Sequence, residues 1–280
     1  MNTFLWFLIG NKEIPQYSIA KELWEKLFQI KNINARFLYL NSDDKDYILK
    51  EFNKLINKKN IVGFNIAMPW KNLLYNKCEK IKDEVKNVKT INTIIKKENS
   101  LIGLNSDGKA LYNLIKKNIL IKNKKILILG AGGAIQTLPY FLIPDEISEI
   151  FFYDINEEKI EKLQIIYGEN KIKKTTRKEI SKIIGNFDLI LNATPIGMFK
   201  KEKESILTRK EISRTKKSII LIECIYNPEI TEFLKFGIEQ DRKVISGMHM
   251  LIEQAVISFE TAFDRKVSKN EKKELYEYLK

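Results

Sequence analysis

Three polar side chains stand close to the ends of predicted strands. Lys71 follows a strand over 61–66 in the run Asn65-Ile66-Ala67-Met68-Pro69-Trp70-Lys71. Asn92 lies in Ile91-Asn92-Thr93, within a short strand predicted over 89–95. Asp107 falls between a strand end and a helix start in Leu104-Asn105-Ser106-Asp107-Gly108. The carboxyl ends of strands are where α/β sheets place their ligands. A lysine, an aspartate and an asparagine converging on one cleft suit the reversible oxidation of an alcohol. The lysine gives or takes the proton, the aspartate holds and orients it, and the asparagine binds a neighbouring hydroxyl. Taken singly, each has a plainer reading, as a surface lysine, a helix N-cap and a turn former.

A second group of residues suits a nucleotide. The apolar run Ile126-Leu127-Ile128-Leu129 reads as a buried parallel strand. It ends in Gly130-Ala131-Gly132-Gly133-Ala134, from which a helix is expected over about 133–143. A glycine turn that opens a helix lets the backbone approach a pyrophosphate and points free N–H groups at it. Gly130 makes the turn and Gly132 the close approach, although Ile135 stands where the strict GxGxxG spacing wants a third glycine. The strand Glu149-Ile150-Phe151-Phe152-Tyr153 then ends in Asp154, about 20 residues beyond the glycines, where a carboxylate accepts from ribose hydroxyls. A carboxylate there repels a ribose 2′-phosphate, and Ile155-Asn156 offers no arginine to bind one, so NAD is favoured over NADP. The plainer reading of Asp154 is a solvated strand end.

Behind these residues stands a chain of 280 residues, enough for two domains with sizeable cores. Hydrophobic content of 44% and charged content of 30% are those of a soluble globular protein. The formal net charge is +13, but the lysines are scattered among Ile, Asn and Glu, which argues against a nucleic-acid surface and leaves an attraction for anionic cofactors and substrates. Two cysteines, Cys78 and Cys224, and one histidine, His249, suggest neither a zinc cluster nor a disulfide framework, so no metal is expected. The apolar run 4–9 lacks a basic flank and a cleavage site and reads as a first strand. No apolar segment approaches membrane-spanning length, and a cytoplasmic location is expected.

In chain order, strands are expected over 3–9, 35–40 and 61–66, with helices over about 18–31 and 42–57. Ser18 is the expected N-cap of the first helix. Short strands over 89–95 and 101–104 flank the polar turn Glu98-Asn99-Ser100, and a helix runs over about 106–117. From Lys124 the β/α alternation continues. Strands are expected at 125–129, 149–153, 172–175, 188–192, 218–222 and 243–246. Helices fall near 156–167, 177–184, 209–214, 229–237, 248–263 and 270–278. The expected architecture is α/β: an N-terminal α/β substrate domain over 1–107, rejoined by 248–280, and a doubly wound parallel-sheet dinucleotide domain over 108–247.

The chain resembles the shikimate dehydrogenase family along nearly its whole length. Gly10-Asn11 and Ser18 come first. NIAMPWK at 65–71 is similar to N-V-T-V-P-F-K, TINT at 90–93 to A-V-N-T, and GLNSDG at 103–108 to G-x-N-T-D-G. GAGGA at 130–134, NATPIGM at 192–198, Tyr226 with Thr231-Glu232-Phe233-Leu234, and Gly247-Met248-His249-Met250-Leu251 with Gln254 follow in register. The resemblance implies reversible oxidation of shikimate to 3-dehydroshikimate with NAD or NADP, in aromatic amino acid biosynthesis. It makes Lys71 and Asp107 the catalytic pair, with Asn92 and Gln254 holding ring hydroxyls and Tyr226 and Ser18 contacting the carboxylate. Gly130, Gly132, Gly133, Ala134, Asp154, Asn192, Ala193, Thr194 and Gly247 would border the nucleotide.

One departure lies at the nucleotide, where the family's usual Asn-Arg-Thr is Asp154-Ile155-Asn156, and others concern the carboxylate end. The family's Ser-x-Ser is Gln16-Tyr17-Ser18, and the threonine of the lysine motif is Ala67. Losing two contacts to a charged group costs roughly 1.5–3 kcal/mol each if nothing replaces them. Gln16 could substitute with its amide. His249 stands where the family has glycine, either as a side chain packed at the helix start or as a donor, even a positive charge, facing the cleft. Two alternatives therefore accompany the leading one. One is a dehydrogenase of a related cyclic polyol, such as quinate or an aminated analogue. The other is a catalytically weak nucleotide-binding homologue. The expected partner is a small carbocyclic acid, with no nucleic acid and no membrane, in a monomer or homodimer.

Overall fold

In the computed structural model, which describes residues 3–98 and 100–280, the chain divides into two compact units: Met1–Ser106 with Ile252–Lys280, and Asp107–Leu251. The elements in chain order are β1 (Phe4–Gly10), α1 (Ile14–Tyr17), α2 (Ala20–Ile30), β2 (Ala35–Asn41), α3 (Lys45–Leu55), β3 (Ile61–Ile66), β4 (Lys80–Ile81), β5 (Thr93–Lys97), β6 (Ser100–Leu104), α4 (Ser106–Asn118) and β7 (Lys125–Leu129). There follow α5 (Leu138–Leu142), β8 (Glu149–Tyr153), α6 (Glu158–Tyr167), β9 (Ile172–Lys174), α7 (Arg177–Ile183), β10 (Leu189–Asn192), α8 (Arg209–Ser213), β11 (Ile220–Glu223), α9 (Glu232–Glu239), β12 (Lys243–Ile245), α10 (Gly247–Phe263) and α11 (Lys269–Leu279).

The first unit holds a six-stranded mixed sheet in the order β2-β1-β3-β5-β6-β4. Strands β1, β2 and β3 are parallel, while β5 runs antiparallel to both β3 and β6. Its core is aromatic: the Trp6 and Trp24 rings stack at 4.1 Å between centroids, and Phe28, Phe37 and Phe259 surround Trp24. Each such side chain, once fully buried, contributes roughly 1.5–3 kcal/mol. The expected turn Glu98-Asn99-Ser100 connects β5 and β6, and its Asn99 lies outside the described residues.

The second unit holds a parallel sheet in the order β12-β11-β10-β7-β8-β9. Counted from β7, that is 6-5-4-1-2-3, the doubly wound arrangement, with its switch point between β7 and β10. Strands β7, β10 and β11 are wholly or nearly wholly buried and read as continuous apolar runs, as strands covered on both faces must.

Local chemistry moved several boundaries. The helix after the glycines spans only Leu138–Leu142, and turns occupy 133–137. Pro139 explains this, because in a helix begun at 133 it would sit in the interior, without an N–H and against the carbonyl of Ile135. Ser18 is not the N-cap of α2. That position falls to Ile19, with no side-chain cap, and the Ser18 hydroxyl accepts instead from the N–H of Ala20 at 3.3 Å. The separate turn α1, with Pro15 in its first turn, takes up the residues before it. Asn92 lies just ahead of β5 rather than inside a strand, since Lys89 adopts a positive φ of 52° that breaks the extended run.

Candidate active site

Registry brings the first unit's polar residues to one edge of its sheet. Ile9 pairs with Ile66, Asn65 with Thr93, and Thr93 with Leu104. The residues that overrun those pairs, Asn11, Lys71, Asn92 and Ser106, therefore emerge along the same edge. Lys71 sits in a 3-10 turn, Trp70–Asn72. That turn is pinned on one side by Trp70, buried, whose indole N–H donates to the Gly10 carbonyl at 3.1 Å. On the other side Ile91 N–H donates to the Lys71 carbonyl at 2.9 Å. Asn92 is thereby held one residue from that bond, and its main chain accepts from Ile66 N–H at 2.7 Å and donates to Leu104 at 3.1 Å.

The Asn92 side chain is buried, and its orientation is fixed by a neighbour that can only donate. Ser106 N–H lies 2.8 Å from Oδ1, with the Thr93 hydroxyl at 2.9 Å, while Nδ2 donates to Ser106 Oγ at 3.0 Å. With Oδ1 occupied, the amide has N–H character to offer a ligand, which suits a hydroxyl or carbonyl oxygen. Gln254, on α10, has Oε1 3.4 Å from the same Ser106 hydroxyl. Ser18 is buried and Gln16 exposed. Asp107, buried, is the second residue of α4 and follows Ser106 directly.

In the second unit the same logic of strand ends gathers the glycine turn, Asp154 and the loop after β10. Leu129 pairs with Tyr153 on one side and Asn192 on the other. Gly130 takes φ +100°, and a Cβ there would lie 2.8 Å from the Ala193 carbonyl oxygen, so only glycine fits. Gly132 is different, because a Cβ there would meet nothing within 4 Å. Its free space is the kind of cradle that a nucleotide phosphate fills. No long helix opens at this turn, so the main chain itself must do the work expected of the helix end.

Asp154 is not a solvated strand end. Its side chain is 10% exposed and accepts from Ala131 N–H at 2.8 Å and Asn156 N–H at 2.9 Å, with Lys159 Nζ 3.5 Å away. Asn192 is buried, and its Oδ1 accepts from the N–H and hydroxyl of Thr194 at 3.1 and 2.7 Å. Gly247 opens α10 against the end of β11, and a Cβ there would fall 2.2 Å from the Ile225 carbonyl oxygen. Tyr226 is half-buried in the loop between β11 and α9. His249 is exposed rather than packed, and partial desolvation together with the Lys117 charge pushes its pKa down.

Two family models match the chain. Residues 8–94 match the shikimate dehydrogenase substrate binding domain and residues 113–232 match shikimate / quinate 5-dehydrogenase. The shikimate dehydrogenase (NADP(+)) of Methanococcus maripaludis is 31% identical over 82% of this chain and 82% of its own. That of Caldicellulosiruptor bescii is 29% identical over 89% of this chain and 86% of its own. Among solved structures, a chorismate mutase/shikimate 5-dehydrogenase fusion protein from Clostridium acetobutylicum is 26% identical with a TM-score of 0.87, over 100% of this chain and 98% of that one. The chain belongs to the shikimate dehydrogenase family. Both of these curated relatives of the shikimate dehydrogenase type carry NADP(+) in their names.

Sequence reasoning passed over Glu223, the last residue of β11. Fully buried, it accepts from Asn192 Nδ2 at 3.0 Å, Thr231 Oγ1 at 2.9 Å and the N–H groups of Cys224 and Ile225 at 2.9 and 3.1 Å. Burial pushes its carboxyl up to about 7 against the pull of those four donors. One carboxylate thus ties the loop after β10 to the loop that carries Tyr226. An acidic end to an otherwise apolar strand was the only signal of it in the sequence.

Proposed function

We propose that this chain oxidises shikimate to 3-dehydroshikimate and catalyses the reverse reduction, with Lys71 and Asp107 as the catalytic pair. Asn92 is the observation that carries the reading. Its neighbour Ile91 bonds the main chain of Lys71, and its amide bonds Ser106, the residue before Asp107, so the three motifs share one hydrogen-bonded frame. Lys71 takes the hydroxyl proton during oxidation and returns it during reduction, Asp107 orients the ammonium, and Asn92 donates to a ring oxygen. Gln254 holds a second hydroxyl, while Ser18 and Tyr226 meet the carboxylate. The first unit is the substrate-binding one and the second the nucleotide-binding one.

The nucleotide, when bound, accepts or supplies the hydride. Gly130, Gly132, Gly133 and Ala134 would hold its phosphates, Asp154 its ribose, and Asn192, Ala193, Thr194 and Gly247 the remainder. Asp154 favours NAD. Support comes from the aim of its carboxylate, which the Ala131 and Asn156 N–H groups fix at the strand end, and from Ile155, which is fully exposed and brings no cation.

The test is steady-state turnover of shikimate followed at the reduced-nucleotide absorbance. Wild-type protein should turn over, and Lys71→Ala should lower kcat by roughly 10²–10⁴-fold with a smaller change in KM. Absence of turnover, or a Lys71→Ala variant as fast as the parent, rejects the reading. A related cyclic polyol is favoured as substrate by Gln16 and Ala67, which together leave two hydroxyls fewer for a carboxylate, and ranking kcat/KM for shikimate against quinate decides between them.

A further inference from the structure

A chain of three buried hydroxyls lies beneath the two amides assigned to ring binding. Ser258 Oγ, with no exposed surface, is 3.0 Å from Thr93 Oγ1 and 3.1 Å from Ser106 Oγ, and donates to the Gln254 carbonyl at 2.9 Å. Thr93 Oγ1 continues to Asn92 Oδ1 at 2.9 Å, and Ser106 Oγ lies 3.2 Å from Asn92 Oδ1 and 3.4 Å from Gln254 Oε1. At the far end Asn65 Nδ2 reaches Thr93 Oγ1 at 3.4 Å, and Asn65 is itself held by the Trp6 indole at 2.8 Å. The chain therefore runs from the aromatic core to both amides without leaving the first unit.

Proton counting shows what the arrangement does. The Ser258 proton points to the Gln254 main-chain carbonyl or to Ser106 Oγ, and Ser106 Oγ also accepts from Asn92 Nδ2, so Ser106 receives rather than donates on its Ser258 side. The Ser106 proton is then left for an amide oxygen, Oδ1 of Asn92 or Oε1 of Gln254, and the Thr93 proton for Oδ1 of Asn92 or for Ser258. Both amide oxygens thus have hydroxyl donors beside them, and the Asn92 amide keeps one N–H on Ser106 Oγ and has the other to offer a ligand. We propose that Ser258 is a positioning residue for the reaction, holding Asn92 and Gln254 in the orientation that presents N–H donors to the hydroxyl oxygens of the bound ring. This rests on the shikimate reading for the ligand, and on the hydrogen-bond chain alone for the orientation.

Ser258→Ala and Thr93→Val each remove one hydroxyl, while Thr93→Ser keeps it. Ser258→Ala and Thr93→Val should each raise KM for shikimate by about five- to tenfold, the worth of roughly one lost hydrogen bond, with KM for the nucleotide unchanged and kcat moved less. Thr93→Ser should restore KM, and the double variant should cost little more than either single one, because both break one chain. In ¹⁵N-labelled, ligand-free protein, Ser258→Ala should shift the Asn92 and Gln254 side-chain amide resonances and leave those of Asn192 in place. The proposal is overturned if those amide resonances stay put. It is equally overturned if Thr93→Ser and Thr93→Val behave alike, or if Ser258→Ala moves both KM values and kcat by one common factor. A wild-type protein that ignores shikimate would remove the substrate reading, and the amide shifts would still decide the orientation.

Discussion

Asp154 carries two main-chain hydrogen bonds before any ligand arrives, and this governs what can be expected of it. The Ala131 and Asn156 N–H groups fix the carboxylate, so it cannot swing away from a 2′-phosphate placed at the ribose. Lys159, 3.5 Å from Oδ1, offsets part of the repulsion. A moderate preference follows, with kcat/KM for NAD about tenfold above that for NADP, or roughly 1.4 kcal/mol. Asp154→Asn should narrow the ratio and weaken the glycine turn, since the amide replaces a charged acceptor of Ala131 N–H. Equal kcat/KM values for the two nucleotides would refute the assignment. The residue types of Lys71, Asn92, Asp107 and Gln254 were legible in the sequence because motifs of fixed spacing carry them. Ser258 was not, because it meets Ser106 across 152 residues and only the fold joins them. Asp154 shows the converse: its position could be read, but its bond to the glycine turn could not.

Among the elements, the glycines separate binding from folding. A side chain at Gly132 meets nothing within 4 Å, whereas one at Gly247 meets the Ile225 carbonyl at 2.2 Å. Gly132→Ala should therefore leave thermal unfolding unchanged and raise KM for the nucleotide more than tenfold. Gly247→Ala should destabilise the fold by roughly 2–4 kcal/mol, read as a lowered denaturation midpoint. Two stable, nucleotide-competent variants would contradict the placement of the cradle. The strands were legible from their apolar runs, and every one of the six from β7 onward lies within two residues of its expected start. Helix α5 was misjudged because periodicity outweighed a single proline, Pro139. The second unit also predicts a response to pH. Glu223, raised from 4.5 to about 7, keeps a proton in the folded state that the unfolded chain has released. Its contribution is full below 4.5 and is lost as pH rises through about 7, to the extent of roughly 3 kcal/mol. Burial also pushes the Glu211 carboxyl up, but hydrogen bonds from Arg177, Ser181 and Thr208 outweigh it and bring it down to about 2; its contribution is present above 4.5 and lost as pH falls from there through about 2. Chemical denaturation of wild type between pH 5 and 8 should show falling stability, and Glu223→Gln should flatten that slope. An identical slope in both would show that another group is titrating.

At the scale of the whole molecule the dominant quantity is the net charge of +13. Many lysines are engaged at the surface, such as Lys12 with Asp43, Lys86 with Asp83 and Lys122 with Glu146, so the charges are spread over the surface rather than focused in one stripe. Exposed pairs of this kind contribute about 0–1 kcal/mol each and explain little of the stability. The unpaired remainder makes a diffuse positive field, and both proposed reactants, a carboxylate and a dinucleotide, are anions. Such a field accelerates encounter and leaves the bound state alone. Raising ionic strength from about 0.01 M to 0.15 M shortens the Debye length from about 30 Å to about 8 Å. Over that range kcat/KM for each anionic reactant should fall by about two- to fivefold while kcat holds steady. A nucleic-acid surface would instead give binding to duplex DNA with a steep logarithmic salt slope, set by the number of phosphates neutralised. If kcat/KM ignores salt, or kcat falls in step with it, the charge serves neither reactant and belongs to the chain's overall composition.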